Sequence, residues 1–398
     1  MRNVLARRGA RLFFGGQLVS MFGDWALLLV FGIWAKSLTG SSADAGLVFF
    51  TFGLATLLAP LGGWVADRVP KRPLMLATHV AIGLVVLSLL VVHSRHQLWL
   101  IYVVTFLYGL AGDLFSGARS ALMRVMFDDD VLVDANAVLQ TAREGLRLVA
   151  PLAGAGLYAA FGGGVVAVLD AATFGVSALT LALLRIDERK PKASGDRFMT
   201  QLAAGVRHIA QTEALRQIVL GVGAALLVIG FAETLIFTLI QHLHRPPSFF
   251  GVLSSLQGVG AIAGGVTAPR MLRRLGDTKL SGLGLLLFAA GDTAFLVPNL
   301  ALVLVAIAVA GVGLAWLIIA FATAVQTRTP MAIQARVATA ANVGTSVPST
   351  IGIALGAALS TVVDFALLIV VMGVVTACCG AWLATRTANE PVPEPATV

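Results

Sequence analysis

Asp24, Asp113 and Glu233 each lie inside a run of apolar residues of about 20 positions, the length a helix needs to cross a ~30 Å hydrocarbon layer. An ionisable side chain at such depth costs roughly 2.5 to 3.5 kcal/mol on insertion scales, so each of the three needs a reason. One reason is chemical: a carboxyl that alternates between its charged and neutral forms can take up a proton on one side of a membrane and release it on the other. The other is structural, a hydrogen bond to a neighbouring helix or a helix-end contact. Asp24 follows Arg11 by 13 residues, about 20 Å along a helix at 1.5 Å per residue, which is mid-membrane. A second cluster, Arg143, Glu144 and Arg147, opens another apolar run; Glu144 and Arg147 are three apart and share a helical face. Their pairing leaves one positive charge, which either meets Asp24 or Asp113 across a bundle or reaches lipid phosphate near the surface.

The elements that must position these groups are helices in a bilayer. Of 398 residues 58% are hydrophobic and only 12% charged, against roughly 25% charged in soluble domains. Apolar runs fall at about 11–36, 44–66, 74–93, 98–118, 136–160, 163–184, 215–241, 248–268, 279–297, 300–326, 337–359 and 364–385. The first is too long for a signal-peptide core of 7 to 15 residues and reads as a retained span. Twelve spans put both ends of the chain on one side. With that side cytoplasmic, the inner segments collect Arg2, Arg7, Arg8, Arg11, Arg68, Lys71, Arg72, Arg119, Arg124, the basic residues of 185–216, Arg270, Arg273, Arg274, Lys279, Arg328, Arg336 and Arg386. Apart from Arg143 and Arg147 inside the fifth run, only Lys36, Arg95 and Arg245 fall outside them. That distribution follows the positive-inside rule and fixes the expected orientation. It also accounts for a net charge of +8 without nucleic acid, because the basic residues punctuate apolar runs instead of lining one face.

The longest polar stretch, 185–214, divides the spans six and six. Expected domains are thus 1–184, a cytoplasmic linker at 185–214, a second half at 215–386 and a disordered tail at 387–398. Phe198, Leu202, Val206 and Ile209 recur at helical spacing, as in a helix on the membrane surface or in a solvated linker helix. Cys378 and Cys379 and the six histidines have no metal-ligand or redox spacing. No phosphate-binding loop, nucleophile elbow or HExxH is present, so no cofactor, metal or ATP hydrolysis is expected. The run Asp128, Asp129 and Asp130 is the one feature that an intramembrane lipid-modifying enzyme could use; the rival reading is a solvated loop.

The chain also repeats itself. GGWVADRVPKRP follows the second run and GGVTAPRMLRRL the eighth, pairing Gly63, Arg68, Lys71 and Arg72 with Gly265, Arg270, Arg273 and Arg274 at one constant offset, which also pairs Gly154 with Gly356. Asp67 has no counterpart, since Pro269 stands there. Such a repeat indicates duplicated halves. The pattern from Gly63 through Asp67 and Arg68 to Lys71 and Arg72 resembles the signature loop of the major facilitator superfamily. More narrowly, GQLVSMFGDW, ARSALM and DANAVLQTAREGLRLVAPLAGAGL resemble the macrolide-efflux and siderophore-exporter branch of the proton-coupled drug antiporters. Pro151, Gly154 and Gly156 are similar to the antiporter motif of helix 5, without its preceding glycine.

The resemblance implies an all-α membrane protein with twelve transmembrane helices in two pseudo-symmetric six-helix bundles. It implies proton-coupled efflux of small amphipathic or lipophilic compounds across the inner membrane by a monomer. A siderophore or lysolipid exporter and a proton-coupled importer are the rivals within transport. It places Asp24, Asp113 and Glu233 on cavity-lining helices, makes the Gly63 to Arg72 loop a conformational latch, and puts Asp170, Asp292 and Asp364 on lipid-facing helices, near the outer surface.

Overall fold

The computed structural model of the chain describes residues 8–58, 68–127, 129–184, 198–297, 299–330 and 333–386, and within the helices a few side chains, among them that of Glu144, fall outside the description. The described residues form helices joined by turns, with no strand among them. They group into two compact units, Met1–Gly195 with Pro246–Ser255, and Asp196–Arg245 with Leu256–Val398.

In unit 1 the helices are α1 (Arg8–Thr39), α2 (Ser42–Thr56), α3 (Lys71–Leu87), α4 (Leu98–Met126), α5 (Asp129–Phe161) and α6 (Gly163–Leu183). α1 is the hub, packed along α6 and α5, while α3 lies against α6 and α4, and α2 against α4. Two buried clusters hold the unit. One collects Leu27, Phe31, Trp34, Ile82, Ile101, Tyr108 and Phe174; the other collects Phe13, Phe14, Met75, Phe115, Leu122, Met123 and Leu181. Where α1 meets α6 the approach is too close for an ordinary side chain. A Cβ added to Gly23 would run into Asp170 Oδ1 and Thr173 Oγ1, and one on Gly16 into Thr180. Small residues allow this because lipid offers no hydrophobic drive, so backbone proximity supplies the contact energy.

Unit 2 contains α7 (Phe198–Gln211), α8 (Glu213–Ile229), α9 (Ala232–His242), α10 (Phe250–Thr293, its first turns within unit 1), α11 (Leu300–Thr327), α12 (Gln334–Leu359) and α13 (Phe365–Thr385). Gly276, at φ 78°, breaks α10 into two helices, a conformation that glycine adopts without steric cost. α8 packs against α12 and α13 around Leu215, Ile218, Leu317, Val337 and Leu383. α7, the helix read from the 198–209 spacing, packs on α12, with Gly205 over the Arg336 carbonyl. The offset pair occupies matching places: Gly154 on α5 meets the Ala26 backbone of α1, and Gly356 on α12 meets Phe231, which opens α9.

Eight of the described segments are long and apolar enough to cross a membrane. α5 and α12 are long but not among them. α5 carries Arg143, Glu144 and Arg147, and α12 carries Gln334, Arg336, Asn342, Thr345, Ser346 and Thr350. Boundaries also moved. α4 continues to Met126 and α5 begins at Asp129, so Arg119 and Arg124, read above as loop residues, are helical. Gly63, Asp67, the linker at 185–197 and the tail at 387–398 lie outside the described residues.

Candidate functional site

Two carboxyls of unit 1 converge on a phenol. Tyr108 Oη on α4 lies 3.0 Å from Asp24 Oδ1 on α1 and 3.0 Å from Asp170 Oδ2 on α6. A phenolic hydroxyl has one proton and donates one hydrogen bond. Both contacts are hydrogen bonds only if one carboxyl is itself protonated and donates back to Tyr108 Oη. The geometry suits one proton shared between two carboxyls, with the phenol as the bridge.

Packing fixes this trio. Asp170 is 0% exposed, and Thr173, one turn on, shares its one hydroxyl proton between the Asp170 carbonyl at 2.7 Å and Oδ1 at 3.3 Å. The ring of Tyr108 is held edge-on by Phe31 with centroids 5.6 Å apart, and Phe174 stands 5.9 Å away. His79 on α3 is buried and stacked on Phe115 at 3.8 Å, 5.0 Å from Phe174, and its Nδ1 has no hydrogen-bond partner. This collar keeps water from Asp170 and leaves the half-buried Asp24 as the entrance to the pair. Hydrogen bonds in such surroundings are stronger than in water, and unpaired polar atoms correspondingly costly.

About one helical turn from Asp24, at Met21, opens a cavity of about 200 Å³ bounded by α1, α4 and α5. Arg119, Arg143, Ser120, Asn136 and Gln140 form its polar wall, and Met21, Met123 and Leu139 its apolar one. Met21 is three residues before Asp24, hence on the same face of α1, and Arg119 is near enough to Asp24 to interact with it electrostatically. Among the described residues, Arg119 has one hydrogen-bond acceptor, Ser116 Oγ at 3.3 Å. Arg147 sits over the ring of Trp25, 5.8 Å from its centroid.

The residues singled out from sequence thus separate. Asp24 is at the centre of the cluster. Asp113 follows Tyr108 by five residues on α4, about 140° round the helix, and does not join; its Oδ2 is buried without a hydrogen-bond partner. Glu233 belongs to unit 2, in the first turn of α9 just after the tight turn at Gly230 and Phe231. Arg143 faces the cavity, Arg147 faces Trp25, and the Glu144 side chain lies outside the description. Of the loop residues, Arg72 donates from Nε to the Leu181 carbonyl at 2.7 Å and from Nη2 to the Ala182 carbonyl at 2.6 Å. It thereby caps the C-terminus of α6, where a cation suits the helix dipole. Lys71 Nζ reaches the Val69 carbonyl at 3.1 Å, and Arg68 is exposed beside α3.

Two expectations need correction. Asp170 and Asp292 were placed near a lipid-facing outer surface, yet both are buried, and Asp170 is hydrogen-bonded inside unit 1. Asp364 does stand at a helix end, capping α13 through Ala366 N. Tyr108 and Arg119 drew no attention as site residues. A signal for Tyr108 existed, since the chain has 3 tyrosines and this one lies deep in an apolar run, where a buried hydroxyl needs a partner.

The profile of the Major Facilitator Superfamily matches residues 13–241 and 218–398. The chain belongs to that superfamily. It is similar to an uncharacterized superfamily transporter, YfiS, of Bacillus subtilis strain 168, at 25% identity over 92% of this chain and 90% of the relative. The fold resembles a bacterial homologue of the iron transporter ferroportin in an inward-facing state (TM-score 0.72, 18% identity, 96% of this chain and 100% of that one). It also resembles a mutant of the peptide transporter POT (TM-score 0.73, 14% identity, 94% and 92%). As a superfamily member, the chain is a multi-pass membrane transporter and not an enzyme. Asp129 and Asp130 accordingly open α5 as helix-start residues.

Proposed function

We propose that this transporter exports small amphipathic or lipophilic compounds across the cytoplasmic membrane in exchange for protons, and that Asp24, Tyr108 and Asp170 carry the proton. Twelve spans in two six-helix halves rock about the substrate, with both ends of the chain in the cytoplasm. The observation that carries this reading is the pair of carboxyls bridged by one hydroxyl at 3.0 Å on each side. A carboxyl kept at membrane depth near an open cavity, with its proton shared to a fully buried partner, is a site that loads and unloads. Of the other candidates, Asp113 has no polar partner at its buried oxygen among the described residues, and Glu233 belongs to unit 2 and not to the unit that holds this trio. The likeness of GQLVSMFGDW and the α5 segment to drug antiporters supports export.

The test uses everted vesicles with an imposed proton gradient and a fluorescent amphipathic probe. Asp24→Asn abolishes gradient-driven accumulation and leaves passive exchange largely intact, while Asp24→Glu keeps part of the activity. Normal accumulation in the Asn variant would move the coupling site elsewhere.

A second reading, import of an anionic compound together with protons, is favoured by Arg119 and Arg143 in the cavity wall. The sign of the pH effect separates the two. In exchange, proton and substrate exclude one another and apparent affinity rises with pH; in cotransport they assist one another and affinity falls.

A further inference from the structure

The cavity near Asp24 sets two guanidiniums into one wall. Like charges side by side are unfavourable unless an opposite charge joins them. Yet among the described residues the polar lining, Arg119, Arg143, Ser120, Asn136 and Gln140, includes no carboxylate. Asp24, the carboxylate within electrostatic reach of Arg119, is already engaged with Tyr108. Each guanidinium offers five N–H donors in a planar fork suited to carboxylate or phosphate. Arg119 uses one donor on Ser116 Oγ at 3.3 Å, and Arg143 has no acceptor among the described residues.

We infer that Arg119 and Arg143 form an anion subsite that takes the carboxylate or phosphate head of an amphipathic substrate, its apolar body leaving past Met21 and Met123. The volume supports a head group and not a whole molecule. About 200 Å³ falls below the roughly 300 to 1,000 Å³ of pockets that enclose a drug-sized ligand. The walls are mixed in the way such a ligand requires, donors on α4 and α5 and thioether side chains on α1 and α4. Thioethers adapt to varied apolar shapes, so selectivity rests on the head. This inference rests on the reading of the unit 1 cavity as the substrate's path, and it holds for either direction of transport. An anion shared between a lipid head and a soluble amphiphile has the same chemistry here.

The test measures binding and not transport. The full chain in phosphatidylcholine nanodiscs is titrated with octyl phosphate, octanol and octylamine. Octyl phosphate binds at least about tenfold more tightly than octanol, since charge-assisted hydrogen bonds exceed neutral ones, and octylamine binds no better than octanol. Arg119→Gln and Arg143→Gln each remove most of the difference, while the lysine variants keep part of it. Arg143 is exposed, so its variant folds even where Arg119→Gln does not, and melting temperature checks each. In nanodiscs containing phosphatidylglycerol, weaker octyl phosphate binding to wild type but not to Arg143→Gln identifies lipid phosphate as an occupant. Unchanged binding identifies the soluble amphiphile, and in both cases the anion subsite stands. Octanol binding as well as octyl phosphate, or selectivity surviving both glutamine variants, overturns the inference. A wild type that shows gradient-driven transport but no preference for octyl phosphate counts against this subsite alone, and a wild type with that preference but without such transport counts against the transport reading alone.

Discussion

Tyr108→Phe removes a single oxygen atom and tests the proton bridge directly. The ring stays where Phe31 and Phe174 hold it, so the perturbation is confined to two contacts of 3.0 Å. Asp170 is 0% exposed and afterwards keeps one side-chain partner, Thr173 at 3.3 Å. Leaving a buried polar group short of its hydrogen bond costs about 1 to 3 kcal/mol. At 1.4 kcal/mol per tenfold, that is roughly a 5- to 140-fold loss in the population of the proton-sharing state. The variant is reconstituted into proteoliposomes, where gradient-driven transport of a fluorescent amphipathic substrate is compared with its exchange in the absence of a gradient. Gradient-driven transport falls by that factor, and exchange, which needs no net proton transfer, falls by less than about threefold. A wild-type gradient-driven rate in Tyr108→Phe would refute the bridge. Equal loss of both activities would mean that the hydroxyl only holds the helices together.

Gly23→Ala drives a methyl group into Asp170 and Thr173 and so separates α1 from α6; overpacking of this kind costs about 1 to 3 kcal/mol, read as a lower melting temperature together with lost gradient-driven transport. Asp67→Asn impairs transport at matched expression while Pro269→Ala is mild, and equal losses would favour simple anchoring of the loop over a latch. Arg328→Ala strands Asp277, which is 8% exposed and gripped at 2.8 Å by Nε and 2.6 Å by Nη2. Losing one partner of a buried pair costs about 3 to 5 kcal/mol, so this variant melts lowest of the set, and a melting temperature equal to wild type would refute the pairing. A cysteine at position 190 stays unlabelled by an impermeant reagent in intact cells, whereas labelling would reverse the orientation.

What lay open in the sequence was whatever depends on distances along the chain. Apolar runs of bilayer length, their charged punctuation and the repeated loop are one-dimensional signals, because a membrane sorts residues by depth and depth is counted in residues. Asp24 could be placed mid-span by that count alone, and its cost at that depth marked it for a role. The same count ended the fourth run at 118, since Arg119 looks like a boundary when hydropathy is the only guide. Only the tertiary structure decided which face each residue presents. Tyr108 reaches Asp24 and Asp170 because α1, α4 and α6 converge, and Gly23 lets two of those helices come close enough for the phenol to span both carboxyls. Asp113, with the same residue type at similar depth, is turned away from that junction by about 140°. Helical phase relative to neighbours is set by packing between segments remote in sequence, and for that reason the carboxyl pair and the arginine wall could be seen only once the helices were in place.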